Sequence, residues 1–345
     1  MNISSYRKHA MEILFFVLVM ALSFYSVFHG QDLPAILSSV KKLSFPYLLG
    51  AIAISVFFVS AEGMMIYYLL HSLKGKSGLL RCISYSFIGF FYSGITPSAT
   101  GGQPMQLYYM KKDGNDLADS SVVLMVVAVI YKFVLVLFGV WMLIFWYGPL
   151  RTYLQNYFGI YLLGLSLNVL LVLVLLGVMI LPNVMKKILL GIVNRLEKIK
   201  VLKKESEAEK RTIQFVDHYR SAMNFFKSNK EKILVVTGMT FLQRGSVFLL
   251  TYIIYRGLGL KGTDGVTVIL LQASVYIAVD MLPIPGAQGI TEVMYQKVFQ
   301  SVFPSVYLMS SLYVTRGISF YFLLLLSLLV VLGNLVYRRN RKRIT

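Results

Sequence analysis

The sequence predicts an all-α polytopic membrane protein, and three observations carry that prediction. Of its 345 residues, 57% are hydrophobic, and the mean hydropathy is +0.68. A soluble domain of this size has no interior that hides so much apolar surface. Several apolar runs exceed the roughly 20 residues with which a helix spans a bilayer. These runs do not alternate, which excludes an outer-membrane barrel, whose strands are about 10 residues long and alternate inward and outward.

Taken in order, Arg7 and Lys8 precede a first span, Met11 to Phe28. It lacks a small-residue cleavage site and is read as a retained helix, not a signal peptide. Ala35 to Lys42 is a short interfacial segment. A second span, about Pro46 to Leu70, carries Glu62. The apolar run Leu79 to Ile95 then meets TPSATGGQP, Thr96 to Pro104, followed by Met105 to Met110 and the basic pair Lys111 and Lys112. Basic residues at both ends, with too few residues for two crossings, predict a broken hairpin that leaves on the side it came from. Non-helical backbone at membrane depth is tolerated only where protein or a water-filled cavity covers it, so this break points to a binding site.

A third span, about Ser120 to Tyr147, contains Lys132 and ends in the aromatic anchor Trp146 and Tyr147. The fourth, roughly Ile160 to Leu181, is ended by Pro182. Residues 184–232 hold 13 Lys and Arg. Their apolar positions Ile188, Ile192, Leu196 and Ile199 recur at helical spacing, as in an amphipathic linker lying on an anionic leaflet. The fifth span, about Ile233 to Tyr255, contains Gln243 and Arg244. Val266 to Met281 then runs into PIPGAQG, Pro283 to Gly289, and Ile290 to Phe303 follows with Glu292 and Lys297. The last span, about Ser305 to Tyr337, carries Arg316, and the chain closes on RRNRKRIT.

With the N-terminus cytoplasmic, 25 Lys and Arg fall on the cytoplasmic side and 6 outside, which is the bias that sets orientation. The expectation is N-in and C-in, with six full spans and two re-entrant broken hairpins of opposite orientation. The chain then reads as one transmembrane domain, 1–345, with repeat unit A at about 46–147 and repeat unit B at about 233–337. Glu62 to Pro97 is 35 residues, and Arg244 to Pro283 is 39. Opposed broken hairpins meeting near the midplane form an inverted repeat, a recurring transporter design.

The net charge of +19 is read as topology-setting loop charge rather than a nucleic-acid surface. The single cysteine, Cys82, excludes an internal disulfide and a CxxC metal site, and His9, His29, His71 and His218 are scattered. Thr100-Gly101-Gly102 lacks the rest of a phosphate loop. Thr96, Ser98 and Thr100 have no nearby His and Asp for nucleophilic catalysis. No catalytic residue, metal or cofactor is assigned. Gly89, Gly94, Gly139 and Gly164 are read as helix-packing positions.

Six charges fall in apolar surroundings: Glu62, Lys132, Arg244, Asp280, Glu292 and Arg316. Each costs at least about 3 kcal/mol at the bilayer centre, so such residues face a polar cavity or one another. Internal pairing, for example Glu62 with Lys132 or Asp280 with Arg316, is the structural alternative to a substrate site. Three cations at depth suit a phosphate-bearing substrate, helped by opened helix ends at the Gly-rich breaks.

The motifs ITPSATGGQP, LPIPGAQGITE and YVTRGISFY together resemble the lysylphosphatidylglycerol synthase/flippase transmembrane family, the membrane domain of MprF-type proteins, over about 10 to 335. The resemblance implies a helical bundle with re-entrant segments in the bacterial cytoplasmic membrane, moving a lipid between leaflets. Its motif positions map onto Pro97, Gly101, Gly102 and Gln103, then Pro283, Pro285, Gly286, Gly289 and Glu292, then Arg316. With Glu62, Thr96, Ser98, Lys132, Arg244, Asp280 and Gln288 these make up the candidate substrate site. Members that make lysylphosphatidylglycerol carry a soluble aminoacyltransferase domain, whereas this sequence closes at Thr345, a few residues past its last span. The expectation is therefore a flippase for a phospholipid or aminoacylated phospholipid. The alternatives are a lipid-modifying transferase such as a phosphatidylglycerol lysyltransferase, and a non-catalytic partner in cell-envelope lipid or glycan synthesis. The expected partners are a membrane phospholipid and, through the basic loops, the anionic leaflet, with a homo-oligomer left open.

Overall fold

A computed structural model describes residues 41–96, 99–181, 206–282 and 289–344, with isolated positions at 34, 38, 186, 187, 190, 191 and 195. The expected first span lies outside the described residues, as do Ile188, Ile192, Leu196 and Ile199 of the linker. Among the described residues, five helical stretches are long and apolar enough to cross a membrane: Phe45–Ser72, Leu117–Phe145, Tyr147–Met179, Lys230–Gly257 and Ser305–Val336. They coincide with the second to sixth spans expected from sequence. The protein is an all-helical, multi-pass membrane protein.

The elements are α1 (Phe45–Ser72), α2 (Leu79–Ile95), α3 (Gly102–Lys112), α4 (Leu117–Phe145), α5 (Tyr147–Leu154), α6 (Phe158–Ile180), α7 (Ser206–Ser228), α8 (Lys230–Gly257), α9 (Gly265–Val279), α10 (Ile290–Phe299), α11 (Ser305–Arg316) and α12 (Leu323–Ile344). Two start on aspartate caps. Asp116 accepts from the Ala118 and Asp119 amides at the head of α4, and Asp264 from the Thr267 amide at the head of α9. Each satisfies donors that the first helical turn leaves without partners. On α6 the leucines at 163, 170 and 173 stay exposed, as expected of a face turned to lipid.

The centre of the bundle is an antiparallel pair, α1 against α8. The Ser44 amide donates to the Gly257 carbonyl at 3.3 Å, Gln243 Nε2 donates to the Phe58 carbonyl at 2.7 Å, and Thr240 Oγ1 reaches Met65 Sδ at 3.1 Å. The α2–α3 hairpin stands at the end where α1 finishes. Its two feet are tied together: the Lys76 amide donates to Asn115 Oδ1 at 2.9 Å, Asn115 Nδ2 to Ser77 Oγ at 2.7 Å, and Tyr85 Oη to Asp113 at 2.6 Å. The α9–α10 hairpin stands at the opposite end, where α8 finishes. There one side chain touches both feet. Tyr255 Oη accepts from the Thr263 amide at 2.8 Å, and its ring packs edge-on against Phe303.

The arms of the first hairpin lie close enough to require glycine. A Cβ at Gly102 would come within 2.0 Å of Ser93 Oγ and 2.8 Å of the Gly89 carbonyl, and one at Gly89 would strike Gln106. Gly164 faces the α9 backbone in the same way, with the Ala278 and Ile277 carbonyls each 2.5 Å from an added Cβ. Gly94 and Gly139 abut Leu324 and Leu165. All four glycines that the sequence marks for packing thus meet a neighbouring helix.

Each hairpin sits in its own apolar core. One gathers Tyr85, Phe91, Met110, Val122 and Leu324 around α2–α3. The other gathers Tyr161, Phe248, Leu271, Tyr295 and Phe299 around α9–α10. Along α4 the first core ends at Val134 and the second begins at Leu135, and on α8 the boundary falls between Val236 and Phe248. Lys132 on α4 and Arg244 on α8 lie at these boundaries.

Candidate functional site: a polar seam between two cores

Hydrophobic burial explains why the charges gather. A chain that must place three cations and three carboxylates among apolar helices pays least by letting them neutralise one another. At the seam, Lys132 Nζ on α4 pairs with Asp280 Oδ2 at the end of α9 and also reaches Met281 Sδ at 3.2 Å. Tyr131 Oη donates to the other oxygen of Asp280 at 2.5 Å. Arg244 on α8 lies over the Tyr131 ring, 3.7 Å from its centroid, and over Phe58 at 4.7 Å. Its guanidinium donates to Tyr276 Oη and to Gln243 Oε1, each at 3.3 Å. Its Nε is buried with no hydrogen-bond partner. Across the α1–α3 contact, Gln106 Nε2 donates to Glu62 Oε1 at 2.6 Å.

The third pair is separate. Arg316 Nε on α11 donates to Glu292 Oε1 on α10 at 3.0 Å, with both side chains largely buried. The second oxygen, Glu292 Oε2, is buried without a hydrogen-bond partner. Directly after Arg316 the helix widens into a π-turn, Gly317–Phe322. Such turns re-aim side chains and recur at functional sites.

The pairing differs from both examples offered by the sequence. Glu62 does not take Lys132, and Asp280 does not take Arg316. Lys132 reaches Asp280 instead because α4 passes beside the end of α9, and Glu292 meets Arg316 across the α10–α11 turn. Consequently both carboxylates that flank the second break, Asp280 before it and Glu292 after it, hold cations from helices outside the hairpin.

The remaining sequence-marked positions divide. Thr96 closes the first break: its Oγ1 donates to the Tyr92 carbonyl at 2.6 Å and accepts from the Gly101 amide at 2.9 Å. Gly102 and Gln103 open the first turn of α3, followed by Pro104 in a turn that needs few amide donors. Gln103 faces outward, and Gln106, one turn on, turns inward to Glu62. Gly289 has φ +79° just before α10, a left-handed conformation natural to glycine. Pro97, Ser98, Pro283, Pro285, Gly286 and Gln288 lie outside the described residues.

Sequence reading missed Gln106, Tyr131 and Tyr276 as site residues. Two of them carried a signal. Tyr276 precedes Asp280 by one helical turn, so both share a face, and Tyr131 adjoins Lys132.

No curated protein matches the chain. The family described as the lysylphosphatidylglycerol synthase TM region matches residues 10–327, a stretch that contains α1 to α11 and every residue of the seam. The chain belongs to the lysylphosphatidylglycerol synthase transmembrane-region family.

Proposed function

We propose that the protein is a lipid translocase that carries a phospholipid headgroup through the seam between two oppositely inserted broken hairpins, with both chain ends cytoplasmic. The observation that carries this reading is the pairing of both carboxylates beside the second break with cations outside that hairpin: Asp280 with Lys132, and Glu292 with Arg316. Three cations and three carboxylates leave the seam close to neutral. A purely anionic headgroup that took Lys132 or Arg316 would have to strip that cation and leave its carboxylate buried and alone, which costs several kcal/mol. A headgroup bearing both phosphate and ammonium can exchange partners instead. Its phosphate would meet Lys132, Arg244 or Arg316, and its ammonium Asp280 or Glu292. An aminoacylated phospholipid of the lysylphosphatidylglycerol kind has that chemistry, in keeping with the family. The acyl chains would stay in the bilayer, outside the seam.

The orientation rests on charge. Lys74, Lys76, Lys111 and Lys112 cluster at the foot of the first hairpin, the end at which α12 also finishes, and excess Lys and Arg mark the cytoplasmic side. The test is headgroup accessibility in proteoliposomes, using fluorescent phosphatidylglycerol, phosphatidylethanolamine and lysylphosphatidylglycerol with a membrane-impermeant quencher. We expect movement that depends on the headgroup and is lost in an Arg316→Gln/Glu292→Gln variant, which removes both charges together and leaves neither buried alone. Unchanged movement in that variant, or none for any lipid with the parent protein, would overturn the reading.

A further inference from the structure

The three cations of the seam are not equivalent. Lys132 contacts Asp280, and Arg316 contacts Glu292. Among the described residues, no carboxylate lies within ion-pair distance of Arg244. The third carboxylate, Glu62, accepts instead from the neutral amide of Gln106. Yet Arg244 is only 6% exposed. A charge buried so deeply with no counter-charge in contact is costly, and in a membrane protein such a residue marks a functional site.

Its surroundings position Arg244 without neutralising it. The guanidinium lies 3.7 Å from the Tyr131 ring centroid and 4.7 Å from that of Phe58, contacts that fix the plane of the group. Its two hydrogen bonds go to neutral oxygens, Tyr276 Oη and Gln243 Oε1, each at the long distance of 3.3 Å. Its Nε is buried with no hydrogen-bond partner. Nε and Nη2 form the edge with which an arginine grips two oxygens of one phosphate. Here that edge holds one long contact to an amide oxygen and one donor with nothing to meet. Tyr276 stands beside it, and its hydroxyl is otherwise engaged only by a 3.4 Å contact to Tyr131 Oη.

We propose that Arg244 is the phosphate anchor of the seam. It takes the phosphodiester of one phospholipid headgroup through Nε and Nη2, while Lys132 and Arg316 keep their carboxylates. The anchor rests on the reading of the seam as a headgroup site and narrows it: the phosphate engages one cation of the three, and no ion pair opens to admit it.

The test reads binding and not transport, so loss of the anchor and loss of translocation are separate results. The full chain is unfolded in neutral detergent micelles and followed by helical circular dichroism. The probe is dihexanoylphosphatidylglycerol. Dihexanoylglycerol, which lacks the phosphate, and inorganic phosphate, which lacks the chains, are the comparisons. A ligand at about ten times its Kd suppresses unfolding about tenfold. At the concentration where the phosphatidylglycerol does so for the parent, neither comparison should protect. Arg244→Gln strips no contacting carboxylate of its cation, so it should fold, and its protection should fall below about twofold. Arg244→Lys keeps the charge without the two-pronged edge and should lie between; it carries the test should the Gln variant not fold. No protection of the parent, equal protection by either comparison, or full protection in either variant overturns the anchor.

Discussion

Replacing Lys132 by Met tests whether the seam is held by charge. The two side chains are 13% and 9% exposed, so this is a buried pair and not a surface one. Removing the ammonium leaves Asp280 with the Tyr131 hydroxyl as its strong donor and no cation in contact. Breaking a buried pair from one side typically costs about 3–5 kcal/mol, a shift of roughly 10²- to 10³-fold or more in the unfolding equilibrium. Lys132→Met and Asp280→Leu should each show it. The double variant should recover most of the loss, because two apolar side chains replace two charges that no longer need each other. Reversible unfolding in mixed micelles, followed by helical circular dichroism, measures all four proteins of the cycle. Single variants within about 0.5 kcal/mol of the parent, as for an exposed pair, would refute the buried-pair argument. So would a double variant as unstable as the sum of the singles. If the seam carries headgroups, the double variant should be stable yet fail to translocate.

The other predictions concern packing and caps. Gly164→Ala drives a methyl group into the Ala278 and Ile277 carbonyls. These are backbone atoms that cannot rotate away, so a loss of about 1–3 kcal/mol is expected in the same unfolding assay. Gln106→Leu leaves Glu62 without its 2.6 Å donor; it should destabilise by about 1–3 kcal/mol, whereas Gln106→Glu should be tolerated only at acidic pH, where the two carboxyls can share a proton. Asp264→Ala removes an exposed cap from α9 and should cost about 0.5–1 kcal/mol, read as faster hydrogen exchange at the Thr267 amide. Hydrogen bonds from Thr267 hold the Asp264 carboxyl below its ordinary pKa. Its contribution is therefore complete above about pH 4 and fades as the pH falls below that, which the Ala variant should not show.

Much of this fold was legible because apolar run length decides it. The second to sixth spans emerge from composition alone; four structural counterparts begin and end within a few residues of the expected limits, while the fourth stretch, Tyr147–Met179, starts 13 residues before the expected Ile160. The breaks were legible from Gly and Pro, which disfavour a continuous helix, and the six charges from their cost in lipid. Partner choice was not legible. Whether Lys132 meets Glu62 or Asp280 depends on which helix passes beside α4, and single-chain periodicity carries no such information. Gln106 was hidden for a related reason. In the polar motif every residue looks functional, and only the rotation of α3 decides that Gln106 points in and Gln103 out. The π-turn after Arg316 was equally invisible, since GISFYF reads as ordinary apolar helix.

The two hairpins differ in their charge contacts. The α2–α3 hairpin is fastened by close backbone contact at Gly89 and Gly102, by one neutral donor to Glu62, and by a network of polar contacts at its feet that includes Ser77, Tyr85, Asp113 and Asn115. Close packing of this kind is lost steeply with small displacement. The α9–α10 hairpin also has close backbone contact, at Gly164, and a buried apolar core, but it adds ion pairs on either side of its break, and Tyr255 touches both of its feet. Charge pairs can be exchanged for other charge pairs at little net cost, because an incoming group of like charge restores what the outgoing one gave. Tight apolar packing has no such substitute among the groups of a lipid headgroup. If the seam carries a charged headgroup, the charge pairs open to exchange are therefore those of the second hairpin, Asp280 with Lys132 and Glu292 with Arg316.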